Sequence, residues 1–378
     1  MGGLRPVTDP DAAVFLLTMA SGVAHSRDRI RLAVLVAVGL LLINACGKAP
    51  SASLPTPTAQ PSPAIKPTMR ALPALAYDPA SRKLMLVGGL PIDQADYWLW
   101  DPALGWQQGP AAAFPHGFWG STMAYDTSRE KMVLIVPPGA GTWVWDEVQW
   151  RRVPSTSTPG TECFTGICDA SMPRLIDVPE VAYDSKAGAV VAIALSSAVA
   201  GPHPDSLLPL ETPGQYWGVS LWTWDGAVWH ESRTSLFRRT RPAVAYDQAR
   251  GELVVFGGPD PQVSNLAPDP TTWLWNGATW TGVTTDVHPP PGQSAAAYDP
   301  VHGEIVLVVA GETWAWNGNT WSKRSTTGPG NRLDHRMTFD DAIGQVVLFG
   351  GRTPGVAHGD SDLNDLWAWD GSAWHLLA

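Results

Sequence analysis

The residues of this chain that could do chemistry are few and widely spaced. Its three cysteines are Cys46, Cys163 and Cys168, and its nine histidines are scattered singly through 378 residues. Cys163 and Cys168 lie close together in the stretch TECFTGICDA, where no histidine or further cysteine completes a set of metal ligands. If the chain is exported to an oxidising compartment, this spacing favours a local disulfide between Cys163 and Cys168 over a metal site.

Sequence motifs for catalysis and for metal binding are also missing. The segment HGDSDLND, residues 358–365, has oxygen-bearing side chains at alternate positions, as a calcium loop does, but it lacks the glycine and the distal glutamate of an EF-hand. The chain contains no G-x-S-x-G, no H-E-x-x-H and no phosphate-binding loop. We therefore predict no catalytic residue, no cofactor and no metal, and we favour a binding protein over an enzyme.

Tryptophan is the most unusual feature of the composition, with 20 residues. Eighteen of them recur as six triplets, each a Trp-x-Trp pair followed downstream by a third tryptophan: Trp98, Trp100, Trp106; Trp143, Trp145, Trp150; Trp222, Trp224, Trp229; Trp273, Trp275, Trp280; Trp314, Trp316, Trp321; and Trp367, Trp369, Trp374. An aromatic platform for a ligand would be expected once, whereas a packing role predicts recurrence in every unit. We therefore interpret the triplets as packing residues.

A tight turn is expected within each triplet. Asn276-Gly277 is the preferred pair for a two-residue type I′ turn, in which both central residues need positive φ. This turn would place Trp273 directly opposite Trp280, with Trp275 on the same face of the hairpin. The same count pairs the first and third tryptophans of most other triplets.

The triplets belong to a longer repeat that begins with a strand ending in Tyr-Asp or Phe-Asp. The aromatic residue recurs at Tyr77, Tyr125, Tyr183, Tyr246, Tyr298 and Phe339, spaced by 48, 58, 63, 52 and 41 residues. Each is followed by a short polar turn and an aliphatic run, such as ELVVFGG from Glu252, before the tryptophan hairpin. Four strands in every unit predict an all-β fold, a six-bladed β-propeller of four-stranded antiparallel blades.

The combination of AYD, GELVVFGG and TWLWNGATW resembles the kelch repeat in its bacterial form. The resemblance covers residues 70–378, although only three units keep the double glycine, at Gly88-Gly89, Gly257-Gly258 and Gly350-Gly351. It implies a kelch-type propeller with blades at approximately 70–110, 118–154, 178–232, 240–283, 292–325 and 333–378.

Some propellers that the repeat resembles are enzymes. In galactose-oxidase-like propellers, copper is held by tyrosine and histidine beside a Tyr-Cys cross-link, and this chain has no free cysteine for such a link if Cys46 is modified and Cys163 pairs with Cys168. Sialidase-type turns of the form S-x-D-x-G-x-T-W are matched only with an offset of one residue. An extracytoplasmic carbohydrate-active enzyme, working through carboxylates that the sequence does not identify, remains the alternative function.

The amino terminus indicates export. Arg27, Arg29 and Arg31 precede a twelve-residue apolar run, Leu32 to Ile43, which is too short to span a membrane and ends just before Cys46. The arrangement resembles a bacterial lipoprotein signal, which implies a signal peptide over residues 1–45 and a lipid on Cys46. A plain secretory signal or an uncleaved anchor is the alternative, and Met19 is a candidate start of translation.

Residues 46–69 are rich in proline, serine and threonine, and they are predicted to form an extended tether. At roughly 3.1 Å per residue in polyproline geometry, such a tether would hold the propeller about 60 Å from the membrane. The formal net charge of −10 makes nucleic acid an unsuitable partner. The expected location is therefore the cell envelope, outside the cytoplasm and anchored to the membrane by lipid.

A binding site is expected on one face of the propeller. The connections between the second and third strands, and between one blade and the next, are long and irregular, and they share a face. The two tryptophans outside the triplets, Trp119 and Trp217, occur there with Phe118 and Tyr216 as candidate ligand-stacking residues, local loop packing being the alternative. The expected partner is an unidentified protein or glycan.

Overall fold

The computed structural model describes residues 65–91, 96–110, 120–137, 141–155, 158–159, 178–197, 216–234, 236–237, 239–258, 269–356 and 361–378; the side chains at 196, 197, 216 and 217 are not among the features described. The described part of the chain is built from β-strands and turns. It contains no helix long and apolar enough to cross a membrane.

Twenty-four strands form six sheets of four. The strands of the first three blades are β1 Ala74–Asp78, β2 Lys83–Val87, β3 Tyr97–Asp101 and β4 Gly105–Gln108; β5 Thr122–Asp126, β6 Lys131–Val136, β7 Gly141–Trp145 and β8 Trp150–Val153; β9 Glu180–Asp184, β10 Ala189–Ser197, β11 Tyr216–Trp224 and β12 Trp229–Thr234. Those of the other three are β13 Ala243–Asp247, β14 Glu252–Phe256, β15 Thr272–Trp275 and β16 Trp280–Val283; β17 Ser294–Asp299, β18 Glu304–Val309, β19 Glu312–Trp316 and β20 Trp321–Ser325; β21 Arg336–Asp340, β22 Gln345–Phe349, β23 Leu366–Trp369 and β24 Trp374–Leu376.

Every blade is an antiparallel sheet whose strands pair in chain order. The first strands contact one another in sequence, β1 with β5, β5 with β9, β9 with β13, β13 with β17 and β17 with β21, and β21 contacts β1. The ring is therefore closed and the first strands line its axis. The prediction of an all-β, six-bladed propeller of four-stranded antiparallel blades is confirmed.

The aspartate of each Tyr-Asp pair closes the turn between the first and second strands. In the fifth blade Asp299 Oδ1 accepts hydrogen bonds from the backbone N–H groups of Val301 and His302, at 2.9 and 3.2 Å. A carboxylate that replaces backbone acceptors in this way makes a tight turn. The repeated aspartate is thus explained by local structure.

The predicted register of the tryptophan hairpins is wrong by two residues. Trp275 pairs with Trp280, while Trp273 pairs with Gly282. Only Gly277 of the Asn-Gly pair has positive φ, at 96°, so the turn is not type I′. Instead Asn276 Oδ1 accepts from the backbone N–H groups of Ala278 and Thr279, both at 2.9 Å, which opens the connection to four residues.

The same four-residue turn, with Asp or Asn after the second tryptophan, recurs in the second, third, fifth and sixth blades. The facing pairs are Trp145 with Trp150, Trp224 with Trp229, Trp316 with Trp321 and Trp369 with Trp374. Because the register changes by an even number of residues, the three indoles of a triplet still share one face. In the first blade Trp100 faces Trp106 across a longer turn.

Each triplet lies in an apolar cluster shared by two neighbouring blades. The cluster between the fifth and sixth blades contains Val306 and Val308 of β18 together with Trp367, Trp369 and Trp374. All eighteen triplet tryptophans lie in the six clusters of this kind. A buried indole removes on the order of 150 to 250 Å² from water, so these contacts supply much of the attraction between blades.

The third tryptophan of several blades is also hydrogen-bonded to the blade before it. Trp229 Nε1 donates to Thr142 Oγ1, and Trp321 Nε1 and Trp374 Nε1 donate to the equivalent Thr272 and Thr313, each at 2.8 Å. The threonine stands immediately before the first tryptophan of its own blade. In the sixth blade Leu366 holds that position, and the indole nitrogen of Trp106 is buried without a hydrogen-bond partner among the described residues.

The ring closes by packing and by loop hydrogen bonds, since all four strands of the sixth blade come from the end of the chain. Trp98, Trp100 and Trp106 of the first blade share a cluster with Val347 and Phe349 of the sixth. The segment before β1 adds backbone hydrogen bonds, from Arg70 N to Leu363 O at 2.9 Å and from Gly351 N to Arg70 O at 3.1 Å.

Candidate functional site: the central channel

Corresponding residues of the six first strands form layers around the channel. One layer is aromatic and consists of Tyr77, Tyr125, Tyr183, Tyr246, Tyr298 and Phe339. The next layer consists of the small residues Ala76, Ala124, Ala182, Ala245, Ala297 and Thr338. A third layer consists of Leu75, Met123, Val181, Val244, Ala296 and Met337. The aromatic layer lies toward the short turns between first and second strands, and the third layer lies toward the long connections.

At the start of the first strands, on the side of the long connections, an ion pair crosses the channel. Arg336 in β21 places Nη1 2.7 and 2.6 Å from the two carboxylate oxygens of Glu180 in β9. Its Nε donates to Pro73 O at 3.1 Å. The third and sixth blades lie opposite each other in a ring of six, so the pair spans the axis beside a void of about 50 Å³.

A second ionic cluster lies at the same end of the channel. Asp334 Oδ1 accepts from Arg241 Nη1 at 2.7 Å and Asp334 Oδ2 accepts from Arg352 Nε at 2.6 Å. With its amide oxygen turned toward the guanidinium, Gln293 also accepts from Arg241 Nη1 and Nε, at 3.0 and 3.2 Å. The side chain of Asp334 is 2% exposed and that of Arg241 is 32% exposed, so the cluster presents the guanidinium to solvent and buries the carboxylate.

We call this end of the channel the loop-rich mouth and define it by Glu180, Arg241, Asp334, Arg336 and Arg352. Among these five side chains, three guanidinium groups face two carboxylates, in a chain whose net charge is −10. Each of the two carboxylates is held by arginine. The buried Asp362 is bridged to Arg352 through the backbone and adds a carboxyl group next to them. Such a mouth is suited to contact an anionic group of a partner.

His335 lies between Asp334 and Arg336 but does not add to this charge. Burial, together with the nearby charges of Arg332 and Arg336, lowers the pKa of His335 to about 3. The imidazole is therefore neutral at physiological pH and serves as a packing group. A Cβ built on Gly351 would lie 3.0 Å from the Cβ of His335, so the segments that carry these two residues approach each other closely.

Three buried arginines fix the loops around the mouth. Arg70, Arg239 and Arg332 donate to the carbonyl of the first glycine of each double-glycine pair, Gly88, Gly257 and Gly350, at 3.1, 3.3 and 2.9 Å. The second glycine is required because a Cβ on Gly258 or Gly351 would lie 2.6 or 2.5 Å from a backbone oxygen. The double glycine is thereby explained by a contact that sequence reasoning missed.

Each of these arginines also pairs with an aspartate of the connection that follows the second strand. Arg70 Nη1 lies 2.7 Å from Asp96, and Arg332 Nη1 lies 2.8 Å from Asp365. Burial alone would raise the pKa of Asp96 and of Asp365, but hydrogen bonds and charge from the arginine hold both below the usual range. Asp365 belongs to the segment with alternating oxygen ligands, and here its carboxylate serves an ion pair.

The opposite end of the channel opens as a cup of about 500 Å³, lined by the three layers and by the first residue of each short turn. That outermost layer is Pro79, Thr127, Ser185, Gln248, Pro300 and Asp341. The tyrosine hydroxyls contact neighbouring turns: Tyr183 Oη is 2.7 Å from Ser128 Oγ, and Tyr246 Oη accepts from Lys186 N at 3.4 Å. We call this cavity the tyrosine cup.

The residues predicted to stack on a ligand are only partly described. Phe118 and Trp119 lie outside the described residues, as do Cys46, Cys163, Cys168 and residues 357–360. Tyr216 and Trp217 begin β11, where Tyr216 pairs with Ser197 and Gly218 with Ser196 around a bulge. This places their backbone at the end of the blade that carries the long connections. Within the described ranges, no group of three His, Cys, Asp or Glu side chains is arranged to hold a metal ion.

The loop-rich mouth was not anticipated, although the aligned repeats contain its signal. The residue four positions before the turn aspartate is Ala74, Ala243 or Ala295 in three blades, whereas it is Glu180 in the third blade and Arg336 in the sixth. Opposite charges at one repeat position, in blades three units apart, predict a pair across the axis. That inference requires the ring geometry as well as the repeat.

Comparison with known proteins gives a likeness of fold. No protein-family model matches the chain, and no curated protein matches it. The solved structure described as "Structure of YjhT" is similar over 82% of this chain and 98% of that one, with a TM-score of 0.55 and 11% sequence identity. XC5397 of Xanthomonas campestris, described as a gluconolactonase important in glucose secondary metabolic pathways, covers 75% of this chain and 84% of its own, with a TM-score of 0.45 and 15% identity. At 11% identity, the likeness to YjhT is one of fold alone.

Proposed function

We propose that this chain is a non-catalytic binding propeller of the cell envelope, which holds an anionic protein or glycan partner at its loop-rich mouth. A lipid on Cys46 and the tether of residues 46–69 would keep it at the membrane, outside the cytoplasm. The proposal joins the export features of the sequence to the charge of the mouth. It names a binding role without a reaction.

The observation that carries the proposal is the pairing of the mouth. Glu180 is paired with Arg336, and Asp334 with both Arg241 and Arg352. A general acid or base must exchange its proton readily near the working pH, and a carboxylate locked by guanidinium groups is poorly suited to that task. The partly exposed Arg241 and Arg352, on either side of the buried Asp334, are well suited to bind a carboxylate, sulfate or phosphate group.

The kelch character of the repeat is part of this proposal. Its support is the coupling of the double glycines to Arg70, Arg239 and Arg332, which occurs in the three blades that keep both glycines. The arginine stands eight residues before the turn aspartate in each of those blades. We therefore assign the chain to the kelch type and regard the other three blades as divergent.

The test is to incubate the full-length, detergent-solubilised chain with extracts of the cell envelope and to measure both retention and turnover. We expect an acidic glycan or protein to be retained unchanged and to be released as salt is raised, because contacts between exposed charges are screened. Time-dependent release of glycan fragments, without retention, would support the carbohydrate-active enzyme instead. Such a result would remove the binding proposal.

A further inference from the structure

We propose that the tyrosine cup is a second binding site, which takes a small organic cation composed of an ammonium group and an apolar body. The site lies on the face of the short turns, at the other end of the channel from the loop-rich mouth. It is therefore independent of the proposed envelope partner.

The size and the walls of the cup suit a small molecule. Its volume is about 500 Å³, within the range of roughly 300 to 1,000 Å³ that is usual for ligand pockets. Five tyrosines and Phe339 surround it, and the next layers are apolar apart from Thr338. At the far end the channel is crossed by Arg336 and Glu180, so a ligand would enter from the short turns.

The charge of the cup is asymmetric and negative. Among the described residues that line it, Asp341 is the one charged side chain, and it is exposed to solvent. No hydrogen bond or ion pair from the described part of the chain reaches the Asp341 carboxylate. Although part of the side chain reaches solvent, desolvation of the Asp341 carboxyl by the protein around it raises its pKa.

A comparison of the blades shows that the turn aspartate of the sixth blade lacks the basic side-chain partner that it has in three others. The turn aspartate pairs with Arg129 in the second blade, with Arg250 in the fourth and with His302 in the fifth, at 2.9, 2.6 and 2.7 Å. Ile343 holds that position in the sixth blade, and Asp340 Oδ2 is buried without a hydrogen-bond partner. Asp340 and Asp341 thus follow one another in the chain without a paired cation; Asp341 lines the aromatic cup, and Asp340 is buried.

Aromatic walls and a carboxylate together are the chemistry that recognises an organic ammonium ion. Aromatic faces attract cations through the ring quadrupole, and the apolar body of the ligand would displace water from the layers below. An anion would be repelled by Asp341, and a neutral ligand would gain only the apolar contacts. The affinity of the cup is therefore expected to be highest for a cation, lower for a neutral molecule and lowest for an anion.

The experiment is calorimetric titration of the full-length chain at low salt with three probes of similar shape, 2-phenylethylammonium, 2-phenylethanol and 3-phenylpropionate. We expect the ammonium probe to bind most tightly, by about fivefold over the alcohol, and Asp341→Asn to abolish that advantage. Adding Gln248→Glu to Asp341→Asn should restore it, because Gln248 lines the cup at the same position of the fourth blade.

The control is Glu130→Gln, which removes a negative charge from an exposed turn on the same face without lining the cup. We expect this variant to retain the preference for the ammonium probe. Equal affinities of the ammonium and alcohol probes for the natural chain would overturn the proposal. So would an equal loss in Glu130→Gln and Asp341→Asn, since that would indicate the general charge of the face.

Discussion

Arg336 of the sixth blade binds Glu180 of the third blade across the axis of the propeller, with its Nη1 atom 2.7 and 2.6 Å from the two carboxylate oxygens. The two residues are separated by 156 positions in the chain. At the same end of the channel, Arg241 of the fourth blade's entry segment pairs with Asp334 of the sixth blade's. The Arg336–Glu180 pair links opposite sides of the ring, whereas the apolar clusters join neighbouring blades.

Removing one partner of this pair is expected to lower the free energy of unfolding more than removing both partners. Arg336→Met leaves the largely buried Glu180 carboxylate without its partner and should lower the free energy of unfolding by about 3 kcal/mol. The double variant Arg336→Met with Glu180→Met removes both charges and should lie within about 1 kcal/mol of the natural chain. Urea unfolding at pH 7 measures both. A double variant as unstable as the single one would show that the ion pair itself stabilises the ring.

The hydrogen bond between Trp229 and Thr142 predicts a cost for losing the hydroxyl. Thr142→Val keeps the shape of the side chain and leaves a buried indole N–H without its acceptor, which should lower the free energy of unfolding by about 1 to 3 kcal/mol. Thr272→Val and Thr313→Val should behave alike. The control is the exposed Thr281→Val, with an expected change within about 0.5 kcal/mol. Equal stability of Thr142→Val and the control would argue against the role given to this bond.

Asp340 predicts a dependence of stability on pH. Burial raises the pKa of Asp340 to about 6 in the folded chain, from 3.8, with a further contribution from Asp341. The folded state then holds the proton more tightly than the unfolded state, so this stabilisation is complete below about pH 4 and is lost as pH rises through about 6. Asp340→Asn should be more stable than the natural chain at pH 7, with a smaller advantage at pH 5.

The matched control is Asp247→Asn in the fourth blade. There the carboxylate is bound by Arg250 at 2.6 Å, so its removal should destabilise the chain at pH 7. The measurement is thermal unfolding of the natural chain and both variants at pH 5 and pH 7. A destabilised Asp340→Asn at pH 7 would contradict the account of an uncompensated carboxylate.

The repeat allowed the fold to be predicted, and it did so because strands, turns and tryptophans return with one period. The register of the tryptophan hairpins could not be predicted from Asn276-Gly277 alone, because the side chain of Asn276 competes with the backbone as the acceptor of the turn. Both possible turns leave Trp273, Trp275 and Trp280 on one face. The packing role of the tryptophans could therefore be predicted although the predicted strand register was wrong.

The site was harder to predict than the fold. Arg241 and Asp334 are 93 residues apart, and only the closed ring brings their blades to the same mouth. Phe118 was predicted as a candidate ligand-stacking residue, yet it stands eight residues before Asp126, the position that Arg70 holds before Asp78. Periodicity identified the positions that the repeat shares, while the mouth is built from positions at which the blades differ.

The membrane anchor stays a prediction with a direct test. Mass spectrometry of the membrane fraction should find an acylated Cys46 as the first residue, because the apolar run of residues 32–43 ends just before it. An intact amino terminus in that fraction would contradict lipidation. The predicted disulfide between Cys163 and Cys168 can be checked in the same preparation, from the mass change of their shared peptide on reduction.

The central claim is that the loop-rich mouth holds an anionic partner, and the most direct measurement compares two variants that lose the same charge on opposite faces. Arg241→Gln removes a partly exposed guanidinium while Asp334 keeps Arg352, and Lys131→Gln removes a cation beside a short turn. The full-length chain and both variants are titrated with the retained envelope partner at physiological salt. We predict that Arg241→Gln weakens binding by about five- to tenfold and that Lys131→Gln leaves it unchanged. Unchanged binding by Arg241→Gln, or an equal loss in both variants, would contradict the claim.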